Sequence, residues 1–116
     1  MTDWQEALSK RYAWAERTSF AVGEGWRELV ERTFARLDAL ASAQGEQDPD
    51  LGLRVLDVKE KYGTLRMDVV PFRDDAEAIV DDAERQSETI CDVCGKPGSL
   101  RGDAWLSTKC DEHSKK

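Results

Sequence analysis

Apolar positions recur along this chain first at helical spacing, then in alternation, then at helical spacing again, and each stretch predicts an element. Over residues 3 to 17, Trp4, Leu8, Tyr12 and Ala15 recur at helical intervals while Glu6, Lys10 and Arg17 fall elsewhere, which predicts a first helix. Phe20-Ala21-Val22-Gly23-Glu24-Gly25 interrupts it, because two glycines a residue apart are costly inside a helix and natural in a turn. A second helix follows. Trp26, Leu29, Val30, Thr33, Leu37, Leu40 and Ala41 share its inner face, Glu28, Glu31, Arg32 and Arg36 lie opposite, and Gly45 supplies a stop.

Past a polar, proline-containing loop over residues 44 to 50, the pattern changes to rough alternation. Leu53 to Glu60 and Thr64 to Val70 are rich in Val and Leu and flank Lys61-Tyr62-Gly63, which predicts a β-hairpin with Leu65, Met67 and Val69 on one face. Pro71 ends the second strand, having no N–H to continue the ladder. Asp74 then begins a third helix as its cap, with Glu77 placed for a capping box and Ala76, Ile79, Val80 and Ala83 as the buried stripe. The expected fold class is α+β: two N-terminal helices, a β-hairpin, a third helix and a small C-terminal zinc finger. One domain spans 1–116, with a body over 1–88 and the finger over 89–116.

Composition narrows this picture. A chain of 116 residues with 40% hydrophobic and 35% charged positions and four Trp supports one modest core and is globular rather than disordered. The uncharged apolar runs are a few residues long, far short of the roughly 20 that a membrane span needs. Met-Thr-Asp-Trp-Gln-Glu has neither a basic start nor an apolar stretch, so no secretory signal is expected and the thiols read as cytoplasmic and reduced. The net charge is −7, and it is concentrated in the middle: residues 46–88 carry six basic and thirteen acidic groups, residues 89–116 five and four. No segment offers the broad basic surface that non-specific phosphate binding requires.

The chain's chemistry is gathered near its C-terminus. Every cysteine and the single histidine fall in Cys91-x2-Cys94, fifteen residues, then Cys110-x2-His113, a spacing suited to a four-coordinate structural zinc. Gly95 after the second cysteine lets the chain reverse so that backbone N–H groups can point at the sulfurs. Lys96-Pro97-Gly98 extends the turn, and Ser99 to Arg101 with Ala104 to Ser107 form a hairpin about Gly102-Asp103, placing Trp105 and Leu106 over one side of the site. A redox reading of Cys91 and Cys94 would want a helix N-terminus that Gly-Lys-Pro-Gly cannot start cleanly. A catalytic zinc needs an open coordination position, whereas four ligands close this one. A nuclease of the histidine-asparagine-histidine type would need a separate base, and His113 is already used.

Other side chains offer surfaces, each with a plainer reading beside it. Trp4, Tyr12 and Trp14 form an aromatic contact surface, or else Trp4 and Tyr12 cover the core and Trp14 is half exposed. Asp75, Asp81, Asp82 and Glu84 on the third helix form a divalent-cation site or a mimic of nucleic-acid phosphates, or else a solvated acidic face. Lys59, Lys61, Tyr62 and Arg66 present a basic and aromatic tip to a partner, or else their charges are solvated and partly neutralised by Glu60 and Asp68.

Gly23 to Leu29, Val58-Lys59-Glu60-Lys61-Tyr62-Gly63-Thr64-Leu65-Arg66, Cys91 to Gly98 and Cys110 to His113 together resemble a set of small, functionally uncharacterised proteins of bacteria, phages and prophages, and the finger looks like a treble-clef or zinc-ribbon module. The resemblance covers about residues 20 to 113. It implies a phage or mobile-element context and no enzymatic activity, and it carries over no catalytic residues. The expectation is therefore a non-enzymatic, zinc-stabilised interaction protein. It would bind a host or phage protein, such as a defence or transcription component, and possible roles include inhibition. Its candidate contacts are Lys59, Lys61, Tyr62, Arg66, Asp75, Asp81, Asp82, Glu84 and Trp105. The alternative is a small nucleic-acid-binding regulator using Lys59, Lys61, Tyr62, Arg66, Lys96 and Arg101, and an enzyme built on the carboxylates of Asp74 to Glu84 with a divalent ion ranks behind both.

Overall fold

A computed structural model describes residues 2–43, 52–102 and 106–114. In chain order these form α1 (Asp3–Arg11), a 3-10 turn (Ala13–Ala15), β1 (Ser19–Ala21), a second 3-10 turn (Glu24–Trp26), α2 (Arg27–Ala43), β2 (Arg54–Lys61), β3 (Thr64–Val70), α3 (Asp74–Ser87), β4 (Ser99–Arg101), β5 (Ser107–Lys109) and α4 (Asp111–Ser114). The class is α+β, as expected, with two small sheets ordered β1-β2-β3 and β4-β5. The site of the expected stop at Gly45 lies outside the described residues.

The core follows the inner face of α2. Trp26, Leu29, Val30, Phe34 and Leu37 are all buried, and they pack with Val55 and Val58 of β2, Leu65, Met67 and Val69 of β3, and Ala76, Val80 and Ala83 of α3. Val55 and Val58 are three positions apart, yet both face inward because a bulge between Val55 and Asp57 shifts the register against β3. That bulge is why the alternation in the sequence is only rough, and it turns Leu56 out to solvent. The edge strand β3 is closed by α3, where Ser87 Oγ accepts from the Leu65 N–H at 2.9 Å and donates to the Glu84 carbonyl at 2.6 Å.

Four expectations about the body are corrected. The first helix ends at Arg11 rather than 17, because Tyr12 leaves helical geometry (φ −116°, ψ 119°). That break lets Tyr12 and Trp14 both enter the core, stacked at 4.9 Å and flanking Phe34, which two residues two apart on a continuous helix cannot do. Trp14 is therefore buried, and its indole N–H donates to Asp38 Oδ1 at 3.0 Å. Residues 19–21 are not turn but a strand parallel to β2, with Ser19 opposite Asp57 and Ala21 opposite Lys59. At α3 the cap is Arg73, with Asp74 already helical and no side-chain cap bond. The Ala76 N–H is taken by Asp75 Oδ1 at 2.8 Å, so the expected capping box at Asp74 and Glu77 is not made.

Candidate metal centre

The finger begins where α3 stops. Ile90 and Pro97 pair across the knuckle, the Cys91 N–H donates to the Lys96 carbonyl at 2.9 Å, and the Gly95 N–H to the Cys91 carbonyl at 2.9 Å, with Gly95 at φ +82° where the chain reverses. The second arm of the finger hairpin is Ser107–Lys109 rather than Ala104–Ser107, with Ser99 opposite Lys109 and Arg101 opposite Ser107. This shift runs the chain from β5 through Cys110 directly into α4, so that His113 lies on a short helix. Arg101 locks that helix to β4: it donates to Ser114 Oγ at 2.7 Å and to Asp111 Oδ1 at 2.8 Å. Lys109 of β5 forms a short ion pair with Asp92 of the knuckle.

These elements bring Cys91, Cys94, Cys110 and His113 together, with all four ligand atoms within 4.8 Å of one another. Cys94 Sγ lies 3.7 Å from Cys110 Sγ, and His113 Nδ1 lies 3.2 Å from Cys110 Sγ and 3.6 Å from Cys91 Sγ. Metal–sulfur bonds of about 2.3 Å and metal–nitrogen bonds of about 2.0 Å place tetrahedral ligand atoms roughly 3.5–3.8 Å apart. The donor set fits a metal ion of that size. Cys91 and Cys110 are buried, His113 is half-buried and Cys94 is exposed, and none of the three thiols is in a disulfide.

The protein around the sulfurs also favours charge separation. Burial pushes the Cys91 thiol up, but the Cys110, Cys94 and Val93 backbone N–H groups and the Cys110 side chain outweigh it and bring it down to about 6. Cys110 is lowered by the His113 backbone N–H and, despite some burial, by the His113 ring, while His113 is raised by Cys110 and then Cys91. Cys94 goes the other way: the Lys96 N–H lowers it, but burial and the Cys110 and Cys91 sulfurs raise it further. The three thiols therefore do not respond alike to their surroundings: two are held down and the third is held up by its neighbouring sulfurs.

Two stretches of the body hold the finger in place. The first is Gly23-Glu24-Gly25-Trp26. The Gly25 N–H donates to the Asp92 carbonyl at 3.0 Å, and the Trp26 indole N–H donates to the Ile90 carbonyl at 2.8 Å. A Cβ on Gly25 would lie 2.0 Å from the Cys91 carbonyl oxygen, so only glycine permits the approach. The second is the β2–β3 tip. Tyr62 and Gly63 form a two-residue turn with both φ positive, +54° and +82°, and the Gly63 carbonyl accepts from the buried Thr108 hydroxyl at 2.7 Å. A Cβ on Gly63 would lie 2.4 Å from Leu100 Cδ1 and 3.0 Å from the Ser107 amide nitrogen. Sequence reading missed this docking role. Its signals were the paired glycines before Trp26 and the glycine of the tip.

The candidate contact residues divide. Lys59, Lys61 and Tyr62 are exposed, with Lys59 4.0 Å from Asp57 and the Lys61 ammonium 5.6 Å from the Tyr62 ring centre. Arg66 is instead tied to Glu84 at 3.2 Å and to Thr64 Oγ1 at 3.0 Å, so one residue of the basic set pairs with one of the acidic set. Along α3, Asp75 is bonded to Arg73, and Asp82 accepts from Arg36 of α2 at 2.7 Å and from Gln86 at 2.9 Å. The Arg36 guanidinium, then the Gln86 amide, hold the Asp82 carboxyl below its ordinary value. Asp81 is exposed, and Trp105 lies outside the described residues. No described helix is long and apolar enough to cross a membrane. The chain matches no family model, no curated protein and no solved structure.

Proposed function

We infer that this chain is a non-enzymatic interaction protein whose finger is closed by one structural zinc ion. It is phage- or prophage-encoded and works by binding and modulating a host or phage protein, such as a component of a defence or transcription system. The observation that carries this reading is the convergence of three sulfurs and one imidazole nitrogen within 4.8 Å of one another. Soft sulfur donors with one imidazole select zinc over magnesium or calcium, and four protein donors leave no coordination position for a substrate. The phage context rests on the resemblance of the hairpin and finger motifs.

The nucleic-acid alternative loses ground because both arginines of its basic set are engaged within the chain: Arg66 with Glu84, and Arg101 with Ser114 and Asp111. The test has two arms. Metal analysis of protein purified without chelator should find about one zinc per chain, and a metal-free preparation with a fully protected finger removes the zinc claim. Affinity capture from host lysate should return a stoichiometric protein partner, while titration with DNA and RNA at two salt concentrations should show no salt-sensitive binding. Salt-sensitive binding restores the alternative. Turnover by a homogeneous preparation that depends on a mapped residue overturns the non-enzymatic reading.

A further inference from the structure

The β2–β3 tip carries a residue that its own turn disfavours. Two-residue turns with both φ positive are built best from Asn-Gly or Asp-Gly, and a bulky side chain at positive φ strains the backbone. Here the first position is Tyr62, at φ +54° and 67% exposed, so little burial offsets that strain. Backbone strain kept by an exposed aromatic points to recognition rather than to folding.

The surroundings say what is recognised. Leu100 of the finger, itself 40% exposed, lies against Gly63, so the finger extends the tip with a second apolar side chain. Among the described residues Lys61 stands beside the Tyr62 ring and forms no ion pair, and Lys59 has only a long contact of 4.0 Å to Asp57. The one acid inside the turn segment, Glu60, has its carboxylate on the Gly63 N–H at 3.0 Å, while Arg66 is cancelled by Glu84. Among the described residues, what remains exposed at the tip is an aromatic and an aliphatic side chain beside two ammonium groups, on a chain whose net charge is −7.

We propose that Tyr62 and Leu100, flanked by Lys59 and Lys61, form a composite docking surface for an acidic peptide segment that carries an apolar side chain. The apolar residue sits on Tyr62 and Leu100, and the flanking carboxylates pair with the two lysines. The finger completes the surface by holding Leu100 and Thr108 against the turn, so docking depends on the metal site without any contact to it. This rests on the interaction reading above and names the partner's chemistry.

The probe is a random peptide display library selected on the immobilised, zinc-loaded full chain, with Tyr62→Asn and Lys61→Glu as counter-targets. Enriched sequences should be acidic around an apolar residue. They should lose at least tenfold in affinity on Tyr62→Asn and on Lys61→Glu, and weaken as salt rises. Tyr62→Asn should at the same time raise the melting temperature by a few degrees, because asparagine suits the turn. A structural role for Tyr62 would move stability the other way. Enriched peptides that bind Tyr62→Asn as well as the wild type, or that are basic, overturn this surface and leave the interaction reading standing. Failure to enrich any sequence removes both, and a lowered melting temperature for Tyr62→Asn removes the argument from strain.

Discussion

The body and the finger of this molecule are held by different forces. Around α2 the chain buries Trp26, Phe34, Leu29, Leu37 and a layer of valines, so the hydrophobic effect carries that half. From residue 91 onward, the buried described positions are Cys91, Thr108 and Cys110 alone. Among its described residues, a segment that buries two cysteines and a threonine has no apolar core of its own. It is held by backbone bonds such as Asp92 N–H to the Thr108 carbonyl at 3.1 Å, by the body it rests on and, in the zinc reading proposed above, by ligand convergence. Among the described residues, glycine and tryptophan at the seam, rather than a shared apolar layer, join a packed half to a half that gathers four metal-ligating side chains.

The largest effect should come from the metal. Structural zinc in small fingers contributes an apparent binding free energy on the order of 10 kcal/mol. Chelation, or Cys94→Ser, should therefore remove amide-exchange protection from residues 91–114 while α2, α3 and β2–β3 keep theirs. Simultaneous loss of protection in both halves would break the comparison and make the chain one cooperative unit. Next in size is Trp26, which belongs to both halves. Trp26→Ala should cost about 3–5 kcal/mol in denaturant unfolding, as large aromatic truncations in cores do. Trp26→Phe keeps most of the apolar volume and leaves the Ile90 carbonyl without its donor, so it should cost about 1–3 kcal/mol and weaken zinc retention more than it weakens the body.

How much of this was legible in the sequence follows the same division. The packed half was readable where local pattern decides: the stripe from Trp26 to Ala41, the inward face of Leu65, Met67 and Val69, and the stripe of α3 all depend on periodicity. The ligands were readable because Cys-x2-Cys and Cys-x2-His declare their spacing. What escaped was set by distant partners. Ser19–Ala21 is three residues long and is a strand only because β2 lies beside it. Trp14 is buried because Tyr12 breaks the helix, and Arg66 lost its apparent freedom to Glu84, which sits on another element. Gly25 looked like a turn residue, and its use is a close approach to a backbone far along the chain.

That approach gives a sharper cut than Trp26, because it touches no core. Gly25→Ala places a Cβ 2.0 Å from the Cys91 carbonyl oxygen and 2.8 Å from the Gly95 amide nitrogen, both backbone atoms that cannot rotate away. Overpacking of this kind costs about 1–3 kcal/mol. The cost should fall on the seam: faster zinc release to a chelator and loss of the Trp26 indole proton's exchange protection, with α2 and α3 unchanged. Equal zinc release from Gly25→Ala and wild type would mean that the finger does not lean on the body.

The smallest effect belongs to the packed half and separates the two by pH. Asp82 bridges α3 to α2 through Arg36, and that guanidinium, with Gln86, holds its folded carboxyl below the ordinary value of 3.8. A depressed carboxyl contributes stability that is fully present above its unfolded pKa and is lost as pH falls through the lower folded one. The stability difference between wild type and Asp82→Asn should therefore be constant from neutrality down to about pH 4 and close only below it. The finger should fail earlier on the same titration, since protons compete with the metal for three thiolates and an imidazole well above the carboxylate range. Acidification followed by zinc release and by helical circular dichroism should show two separate transitions, the metal leaving first. A single coincident transition would mean that the ligated half cannot come away from the packed half, whatever forces hold each of them.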